Sequence, residues 1–398
     1  MSNTHWKAIR LDEFCDLVLD CVNKTAPTVE YDTGFKMIRT TNVKDGYVSL
    51  HGVRHVTSEV YEKWTRRGRP KSGDVIMTRE APLGEVGLLR DATGVFLGQR
   101  LVMYRSNPNT NEPKFLLYAL MGQELQSQIK AYGSGSTVEH MRVPDCSALL
   151  IKTPPLPTQK KIASILSAYD DLIENNNRRI KILEEMAQNI YREWFVHFRY
   201  PGHEDVPLVD SELGQIPQGW EVKKVEDLVN RERPGKLFSQ KTVFEQGDVP
   251  VLDQGKSGII GYHDEAPGVL ASLDEPIIIF ANHTCYQRII MFPFSAIQNV
   301  LPFRPHPQIL RNIYWLHWAT KDLVTFNDYK GHWPEFMAKS LPVPPTNLSE
   351  QFGSIAEQIV RMSFRLGNIN QNLRKTRDML LPKLISGQLD VEELDIIT

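Results

Sequence analysis

The residues of this 398-residue chain that are best suited to chemistry are polar and aromatic loop residues, and their types favour binding of nucleic acid. Arg, Asn and Gln side chains can form two hydrogen bonds with one base edge, while Ser, Thr, Lys and Tyr bind phosphates. In the first half of the chain the candidates are Arg79, Gln99, Arg100, Tyr132, Ser134, Ser136, Thr137 and His140. In the second half they are Asn282, His283, Tyr286, Gln287, Arg288, Gln298, Asn299, Lys330, His332 and Trp333. Taken singly, each of these residues is more often a loop or capping residue.

A basic run is a second feature of this kind. Five cations fall within nine residues, with Trp64 among them and no acidic residue: Lys63, Arg66, Arg67, Arg69 and Lys71. The formal net charge of the whole chain is −2, so the overall charge gives no sign of a nucleic-acid partner. The run therefore predicts either a local phosphate-binding patch or a solvated charged surface.

The sequence lacks motifs for catalysis. It has no Asn-Pro-Pro-Tyr-like turn of an amine methyltransferase, no glycine-rich cofactor loop, no P-loop and no HExxH or Cys/His metal spacing. The nearest candidates for a nuclease site, Asp74 with Glu80 and Asp253 with Lys256, complete no motif. The serine-rich segment 133–137 lacks the GxSxG pattern of a hydrolase. We therefore predict a non-catalytic chain with no metal site and no cofactor of its own.

The elements that position these loops occur twice along the chain. A Trp followed by an amphipathic segment begins at Trp6 and again at Trp220. Buried-strand patterns from Gly73 and Asp274 each lead into a polar turn, so TREAPLG in the first half corresponds to ANHTCYQ in the second. Further matches pair Gln99 with Gln298, Arg100 with Asn299, Glu139 with Glu335, and Met141 with Met337. The sequence thus predicts an internal repeat.

Each half ends in a long helix with a heptad pattern of apolar residues, which we call its seam. The first seam is Ile162, Leu166, Tyr169, Ile173, Asn176, Ile180, Leu183, Ala187, Ile190 and Trp194. The second seam is Ile355, Ile359, Met362, Leu366, Ile369, Leu373, Thr376 and Leu380. Neither is interrupted by proline, so we expect two helices of roughly 35 residues, about 50 Å each, that pack on each other. The alternative is that each helix lies on the core of its own domain.

Length and composition indicate a soluble protein of two domains. A chain of 398 residues exceeds what one hydrophobic core usually organises. No apolar run approaches the roughly 20 residues that span a bilayer. The four cysteines show no CxxC pair, and the first residues contain no apolar signal region. We expect a protein of the reducing cytoplasm.

Several of these segments resemble those of the specificity subunits of type I restriction-modification systems. The resemblance is carried by GDVIMTREAPLGEVGLL (73–89), LGQRLVMYR (97–105), GSTVEHM (135–141), PPLPTQKKIASILSAYDDLIENNNRRIKILE (154–184) and DSELGQIPQGWEVKKVEDL (210–228). It extends to LLPKLISGQLDVEEL (380–394), so it covers essentially the whole chain.

The resemblance implies an α+β fold with a pseudo-twofold internal repeat. Two similar mixed α/β target-recognition domains are expected, separated by two long antiparallel coiled-coil helices. The expected bounds are 1–157 for the first domain, 158–200 for the first (central) helix, 201–345 for the second domain, and 346–398 for the second (C-terminal) helix and tail. The segment from Asp210, which leads into the second Trp-led repeat at Trp220, is then the start of the second domain.

The same resemblance implies a function. Each domain would read one half of a bipartite DNA target, and the helices would set the spacer and bind modification subunits, two per chain. Those subunits would supply methyl transfer and bind S-adenosylmethionine, and restriction subunits would join in complexes that have them. Two alternatives stay open from the residues alone: a coiled-coil scaffold that organises protein partners, and a nuclease with an unrecognised site. Steep salt dependence of DNA binding would distinguish a DNA reader from the scaffold.

Overall fold

The computed structural model describes residues 6–133, 139–255, 258–309, 312–327 and 331–396. These residues form two compact units. The first unit comprises Met1–Asn175 and Ile369–Thr398, and the second comprises Asn176–Asn368. Each unit therefore contains one half of each long helix predicted from the sequence.

The strands of the first unit are β1 Lys7–Arg10, β2 Cys15–Asp20, β3 Lys36–Ile38, β4 Val43–Lys44, β5 Gly46–Val48, β6 Arg54–His55, β7 Val75–Arg79, β8 Leu83–Leu88, β9 Val95–Leu97, β10 Leu101–Ser106 and β11 Leu150–Thr153. Six of them form a mixed sheet in the order β2-β10-β7-β8-β5-β4. A three-stranded sheet, β6-β3-β9, and a two-stranded sheet, β1-β11, contain the others. The helices are α1 Leu11–Phe14, α2 Ser58–Thr65, α3 Pro113–Met121, α4 Gln123–Gly133 and α5 Val143–Ala148.

The first long helix, α6, follows β11 and covers Leu156–Tyr191, and a π-helical turn, Arg192–Val196, continues it. The strands of the second unit are β12 Leu208–Ser211, β13 Gly214–Pro217, β14 Glu221–Lys224, β15 Val229–Arg231, β16 Leu237–Phe238, β17 Val249–Leu252, β18 Ile259–His263, β19 Ile277–Ala281, β20 Gln287–Ile290, β21 Ser295–Ile297, β22 Val300–Pro305 and β23 Ser340–Val343. Its helices are α7 Val225–Leu228, α8 Ile313–Thr320 and α9 Trp333–Ala338, and the second long helix, α10, covers Thr346–Ile385.

The internal repeat is confirmed in the order and pairing of these strands. The central sheet of the second unit, β15-β22-β19-β20, corresponds to β2-β10-β7-β8, and the pair β14-β23 corresponds to β1-β11. Trp6 and Trp220 stand at equivalent positions, each directly before the strand that pairs with the one preceding a long helix. The units differ at one edge, because the first sheet continues through β5 and β4 beyond β8.

The cores show why the sequence gives these elements. Strand β7 is buried along its whole length, as its apolar beginning, Val-Ile-Met, predicts for a central strand. Helix α3, which begins at Pro113 with the Glu112 side chain capping its first turn, packs Phe115 into the same core. In the first unit, Ile162 of α6 and Leu384 of α10 belong to this core as well. Each long helix therefore contributes to the core of a unit.

The two long helices are antiparallel within each unit, as expected. The beginning of α6 shares a core with the end of α10 in the first unit, and Ala187 near the end of α6 shares one with Phe352 near the beginning of α10 in the second. The helices have 36 and 40 residues, or about 54 and 60 Å at 1.5 Å per residue. Helix α10 also continues beyond the predicted seam and includes Pro382 near its end.

Five of the ten members of the first seam are buried, but part of the second seam is wrong. Ile162, Leu166, Ile173, Asn176 and Ala187 are buried, while the remaining members, including Tyr169, Ile180, Leu183 and Ile190, are partly exposed. In the second seam Ile359 and Leu366 are buried, and Leu373, Thr376 and Leu380 are partly exposed. Ile355, Met362 and Ile369, however, are 38%, 43% and 48% exposed.

The buried face of α10 instead includes two polar residues, Asn370 and Arg377, beside Phe352 and Ala356. A search for apolar residues at heptad spacing passes over a buried arginine, and it follows the neighbouring stripe instead. The described part of the chain contains no helix with the length and apolar character that crossing a membrane requires.

Candidate nucleic-acid interface

Three segments of the first unit meet at one end of its central sheet. They are the turn after β7, the turn between β9 and β10, and the residues that precede α5. The backbone N–H of Arg79 donates to the carbonyl of Arg100 at 2.8 Å, and the N–H of Met141 donates to the carbonyl of Arg79 at 3.0 Å. These bonds bring together candidate residues that lie up to about 60 positions apart in sequence.

The second unit repeats this backbone arrangement. The N–H of Asn282 donates to the carbonyl of Asn299, and the N–H of His332 donates to the carbonyl of Asn282, both at 2.9 Å. Arg100 and Asn299 also share a φ of +69°, in the left-handed region. The predicted equivalence of these two residues is confirmed, as is that of the turns after β7 and β19.

One predicted match is wrong. The hydrogen bonds make Met141 equivalent to His332, so the pairing of Glu139 with Glu335 and of Met141 with Met337 does not hold. The Gly-Glu-Met spacing matched two loops of different length. The better signal is proline, because α5 and α9 each have a proline in their first turn and each leads directly into the strand before a long helix.

A charged cluster occupies this site in the first unit. The two carboxylate oxygens of Glu80 lie 3.3 Å from Arg100 Nη2 and 3.3 Å from His140 Nδ1. Glu80 orients the Arg100 guanidinium, and because the Arg100 side chain is 52% exposed, it stays accessible to a ligand. The sequence indicated Glu80 only as a nuclease candidate, whereas in the structure its carboxylate positions Arg100 and His140.

Two other candidates of the first unit have structural contacts. Arg79 is 9% exposed, and its Nη1 donates to the carbonyl of Met141 at 3.1 Å, which holds the third segment in place. Gln99 is half-buried, and its Oε1 accepts a hydrogen bond from Thr25 at 3.2 Å. Tyr132, near the end of α4, is exposed. Ser134, Ser136 and Thr137 lie outside the described residues, as does Lys330 of the second unit.

The basic run lies away from the cluster of Glu80, Arg100 and His140. Arg67 forms an ion pair with Asp20 at 2.6 Å, and Arg69 forms one with Glu62 at 2.5 Å. The carbonyl of Arg69 accepts a hydrogen bond from Arg105, which lies at the opposite end of β10 from Arg100. The run, with exposed Lys63, Arg66 and Lys71, therefore follows the edge strand β2 along the side of the sheet. This position suits a contact with phosphates better than with the bases that Arg100 would reach.

A network of amide and imidazole side chains takes the place of the charged cluster in the second unit. Asn282 Nδ2 donates to Asn299 Oδ1 at 3.3 Å, and Asn299 Nδ2 lies 2.9 Å from His283 Nε2. The N–H of Trp333 donates to Asn282 Oδ1 at 2.8 Å, and the N–H of His283 donates to Gln254 Oε1 at 2.9 Å. Gln254, which no sequence signal identified, therefore belongs to the site.

Other candidates of the second unit are directed into the protein. Gln287 is 5% exposed, and its Nε2 bonds the His317 carbonyl at 3.0 Å and Thr320 Oγ1 at 3.0 Å. His332 is fully buried. Arg288 Nη2 donates to the carbonyl of Gly258 at 2.8 Å, and burial lowers the pKa of its guanidinium. We therefore leave Gln287 and His332 out of the base-reading set.

Aromatic residues near this network have a structural environment too. Trp333 packs against Phe280, Phe303 and Phe336, and the Arg231 guanidinium lies 5.8 Å from its ring centre. Tyr286 is half-buried beside Arg288, whereas Gln298 is exposed. Among the second unit's candidates, Gln298 is thus accessible next to the network of Asn299 and His283.

The acidic residues considered for a nuclease do not form a metal site in the described residues. Asp74 is buried, and both its carboxylate oxygens accept hydrogen bonds from Arg105 at 2.7 Å. No group of three or more His, Cys, Asp or Glu that could hold an ion occurs in the described ranges. Lys256 lies outside them. Asp74 thus has a structural role in joining β7 to β10.

Comparison with known proteins agrees with this architecture. Residues 3–185 match the family model described as the type I restriction modification DNA specificity domain. The type I restriction enzyme MjaIX specificity subunit of Methanocaldococcus jannaschii is 26% identical over 371 residues, which cover 87% of this chain and 84% of that protein. The MjaVIII specificity subunit of the same organism is 21% identical, with 98% and 94% of the two chains covered.

A solved structure extends the comparison to the fold. A crystal structure of a type I restriction-modification S subunit from M. genitalium matches with a TM-score of 0.55 and 17% sequence identity. The match covers 96% of this chain and 97% of that one, which supports the two-unit α+β fold over its full length. The specificity domain and the full-length relatives together support identification of the chain as a type I restriction-modification specificity subunit.

Proposed function

We propose that this chain is the DNA-reading subunit of a type I restriction-modification complex and that each unit reads one half of a bipartite target. The observation that carries the proposal is the repeated backbone framework with different side chains. Equivalent positions hold Arg79, Glu80 and Arg100 in one unit and Asn282, His283 and Asn299 in the other. One framework with two sets of base-edge donors and acceptors is suited to two different half-sites.

The two sites favour different bases. An arginine whose guanidinium is oriented by a carboxylate, like Arg100 beside Glu80, can bond O6 and N7 of guanine. In the second unit the equivalent position holds the amide of Asn299, 2.9 Å from His283 Nε2, and an Asn amide can bond N6 and N7 of adenine. We propose Arg100 and His140 as base readers in the first unit, with His283, Gln298 and Asn299 in the second. The basic run Lys63–Lys71 would contact phosphates in the first half-site.

The long helices are the proposed docking surface for modification subunits. Their solvent-facing sides carry several apolar residues more than a third exposed, which is unusual for a surface with no function. In the first unit these are Leu172, Ile369 and Met379, and in the second they are Ile182, Met186, Ile355 and Met362. Because the set occurs in both units, we propose two modification subunits per chain. Methyl transfer and S-adenosylmethionine binding would belong to those subunits.

The scaffold alternative differs in its behaviour with DNA. A DNA reader should lose affinity steeply as salt rises and should prefer one sequence strongly over others, whereas a scaffold for proteins should do neither. A nuclease would cleave DNA with a divalent metal and without any other subunit. We expect the purified chain alone to show neither cleavage nor methyl transfer, and to support methylation once the modification subunit is added.

The test is a matched pair of variants, Arg100→Ala and Asn299→Ala, each co-expressed with the modification subunit. Methylated positions in the host genome are then sequenced. Loss of a base contact costs about 1–3 kcal/mol, so each variant should accept other bases at one position of one half-site. The two variants should relax opposite halves, and Lys71→Ala, a phosphate-contact control, should weaken methylation without changing the motif. Relaxation of the same half-site by both variants would overturn the assignment of one unit to each half.

A further inference from the structure

A buried ion pair joins the two long helices in the first unit. Asp170 of α6 and Arg377 of α10 are 3% and 6% exposed, and Arg377 Nη1 lies 2.5 Å from Asp170 Oδ1. Tyr118 donates its hydroxyl to Asp170 Oδ2 at 2.6 Å, and Tyr47 donates to the Asp170 carbonyl at 3.0 Å. Burial opposes the charge on Arg377, but the carboxylates of Asp170 and of the neighbouring Asp378, 2.8 Å from Arg377 Nη2, together outweigh it, so the pKa of the guanidinium is raised. Both charges are therefore satisfied within the first unit.

The second unit has apolar residues at the equivalent positions. Both long helices begin directly after a Pro-Pro pair, at Leu156 and Thr346, so positions in α6 and α10 correspond at a constant offset. By this count Asp170 corresponds to Val360, and Ala187 corresponds to Arg377. Ala187 is fully buried in the core of the second unit, and Val360 packs against that core. The two otherwise similar contacts thus differ in polarity.

This difference matters because equivalent helix halves can exchange partners. In a repeat, the beginning of α6 could pair with the end of α6 from a second copy, and α10 could pair with α10 in the same way. Asp170 would then meet Ala187, and Arg377 would meet Val360. Asp170 would then be buried without a countercharge, and Arg377 would keep only Asp378, whose side chain is 58% exposed, so both contacts are destabilised. The pairing of α6 with α10 leaves neither charge alone.

We propose that the buried Asp170–Arg377 pair selects the pairing of α6 with α10 of the same chain and disfavours pairing of either helix with its counterpart in a second copy. A buried polar contact is known to specify register and partner in coiled coils at some cost in stability. Here the cost is confined to the first unit, and the second contributes apolar packing. The inference does not rest on DNA reading by the chain.

The decisive variant is D170V/R377A, which gives the first unit the same contact as the second. Full-length chains with two different affinity tags are unfolded together in denaturant, refolded, and captured by one tag. We expect the variant to fold and the amount of the other tag to rise about tenfold over the parent, because homotypic pairing no longer buries a lone charge. The control K181A/E185V removes an exposed ion pair of α6 and should leave capture at the parental level.

Single variants complete the test. R377A leaves the buried Asp170 with the Tyr118 hydroxyl but without a countercharge, so the unfolding equilibrium constant should rise about 100-fold. D170V/R377A should recover part of that loss, because Tyr118 loses its carboxylate acceptor in the double variant. A folded double variant with parental capture would overturn the proposal. So would a double variant that fails to fold, because the pair would then be required for folding itself, and so would an R377A variant with unchanged unfolding.

Discussion

At the scale of single residues, Arg100 and Asn299 show how one backbone position serves two chemistries. Both adopt a φ of +69°, which is common for Asn and uncommon for Arg. The Arg100 backbone carbonyl is bonded to Arg79, and its guanidinium is held by Glu80, so two contacts maintain the conformation. Strained residues of this kind cluster at ligand-binding sites, which agrees with the proposed reading role.

His317 is a second informative residue. It lies in the core of the second unit, where its Nδ1 is 3.2 Å from Gln287 Nε2 and its charged neighbour is Lys321. Burial, assisted by Lys321, lowers the pKa of His317 from 6.5 to about 3. The imidazole is therefore neutral in the folded chain at neutral pH, and protonating it would require unfolding or rearrangement of this core.

A pH dependence of stability follows from this shift. Between pH 6.5 and about 3 the unfolded chain binds a proton at His317 that the folded chain does not, so the free energy of unfolding falls as pH falls. The slope from one such group approaches about 1.4 kcal/mol per pH unit. The measurement is denaturant unfolding of the parent and of His317→Asn at about pH 7, 6, 5 and 4.5, which covers the upper part of the range between the two pKa values of His317. The Asn side chain keeps a hydrogen-bond acceptor at this position.

The stability difference between parent and His317→Asn should narrow as the pH is lowered, because only the parent has this site for a proton. Carboxylates titrate in both proteins and cancel in the comparison. Parallel profiles would show that the His317 pKa is not lowered in the folded chain.

At the scale of elements, each long helix has three different faces. One face is buried and mostly apolar, a second carries charged residues, and a third exposes apolar residues such as Ile369 and Met379. The buried face holds each half-helix on its own unit, as Ile162 and Leu384 do in the first. The exposed apolar stripe has no such role in the described residues, which is why we propose that it binds a modification subunit.

Changing one residue of that stripe tests the docking surface. Ile369→Glu should weaken binding of the modification subunit about tenfold or more, because a charge would be buried in an apolar contact. Since Ile369 is 48% exposed, the midpoint of thermal unfolding should change little. The measurement is a titration of the modification subunit by calorimetry or surface plasmon resonance.

The matched control is Gln371→Glu, which adds the same charge at an exposed position two residues away on α10. It should leave the affinity within about twofold of the parent, as expected for an exposed position outside the contact. If both variants weakened binding equally, the effect would come from charge rather than from loss of an apolar contact.

At the scale of the whole molecule, two continuous helices run through both units. The division between units falls at Asn175–Asn176 in α6 and at Asn368–Ile369 in α10, within polar segments. The repeat, the antiparallel halves and the position of these divisions suggest how the spacer between half-sites is set. We propose that the number of helical residues is the determinant.

Insertion of helical turns tests this proposal. Four residues inserted at both divisions add about 6 Å to each helix, close to one whole turn, so the buried face keeps its direction. Spacing of about 3.4 Å per base pair then predicts a spacer one to two base pairs longer with both half-site sequences unchanged. Methylome sequencing of the parent and the insertion variant, each with its modification subunit, measures this.

An insertion in α6 alone is the control. It makes the two helices unequal, so we expect lower stability and weaker methylation than in the variant with two insertions. An active variant with both insertions and the parental spacer would show that flexibility at the unit boundaries, rather than helix length, sets the distance.

Much of the architecture could be predicted from the sequence, because it is encoded in local periodicity and repetition. Heptad spacing predicted both long helices, and apolar runs predicted strands such as β7. The correspondence of Arg100 with Asn299 came from comparing the two halves. These features depend on residues close together in the chain, so a single sequence contains the information for them.

The tertiary structure alone decided which polar residues are buried and what they contact. Arg79 and Gln287 look like exposed readers in sequence, yet each is buried against a segment at least 30 residues away. Arg377 occupies the buried face of α10 because Asp170, 207 residues earlier, neutralises it, whereas the apolar residues Ile355, Met362 and Ile369 are exposed. Burial of a charge depends on a partner brought close by folding, and no local pattern records that partner.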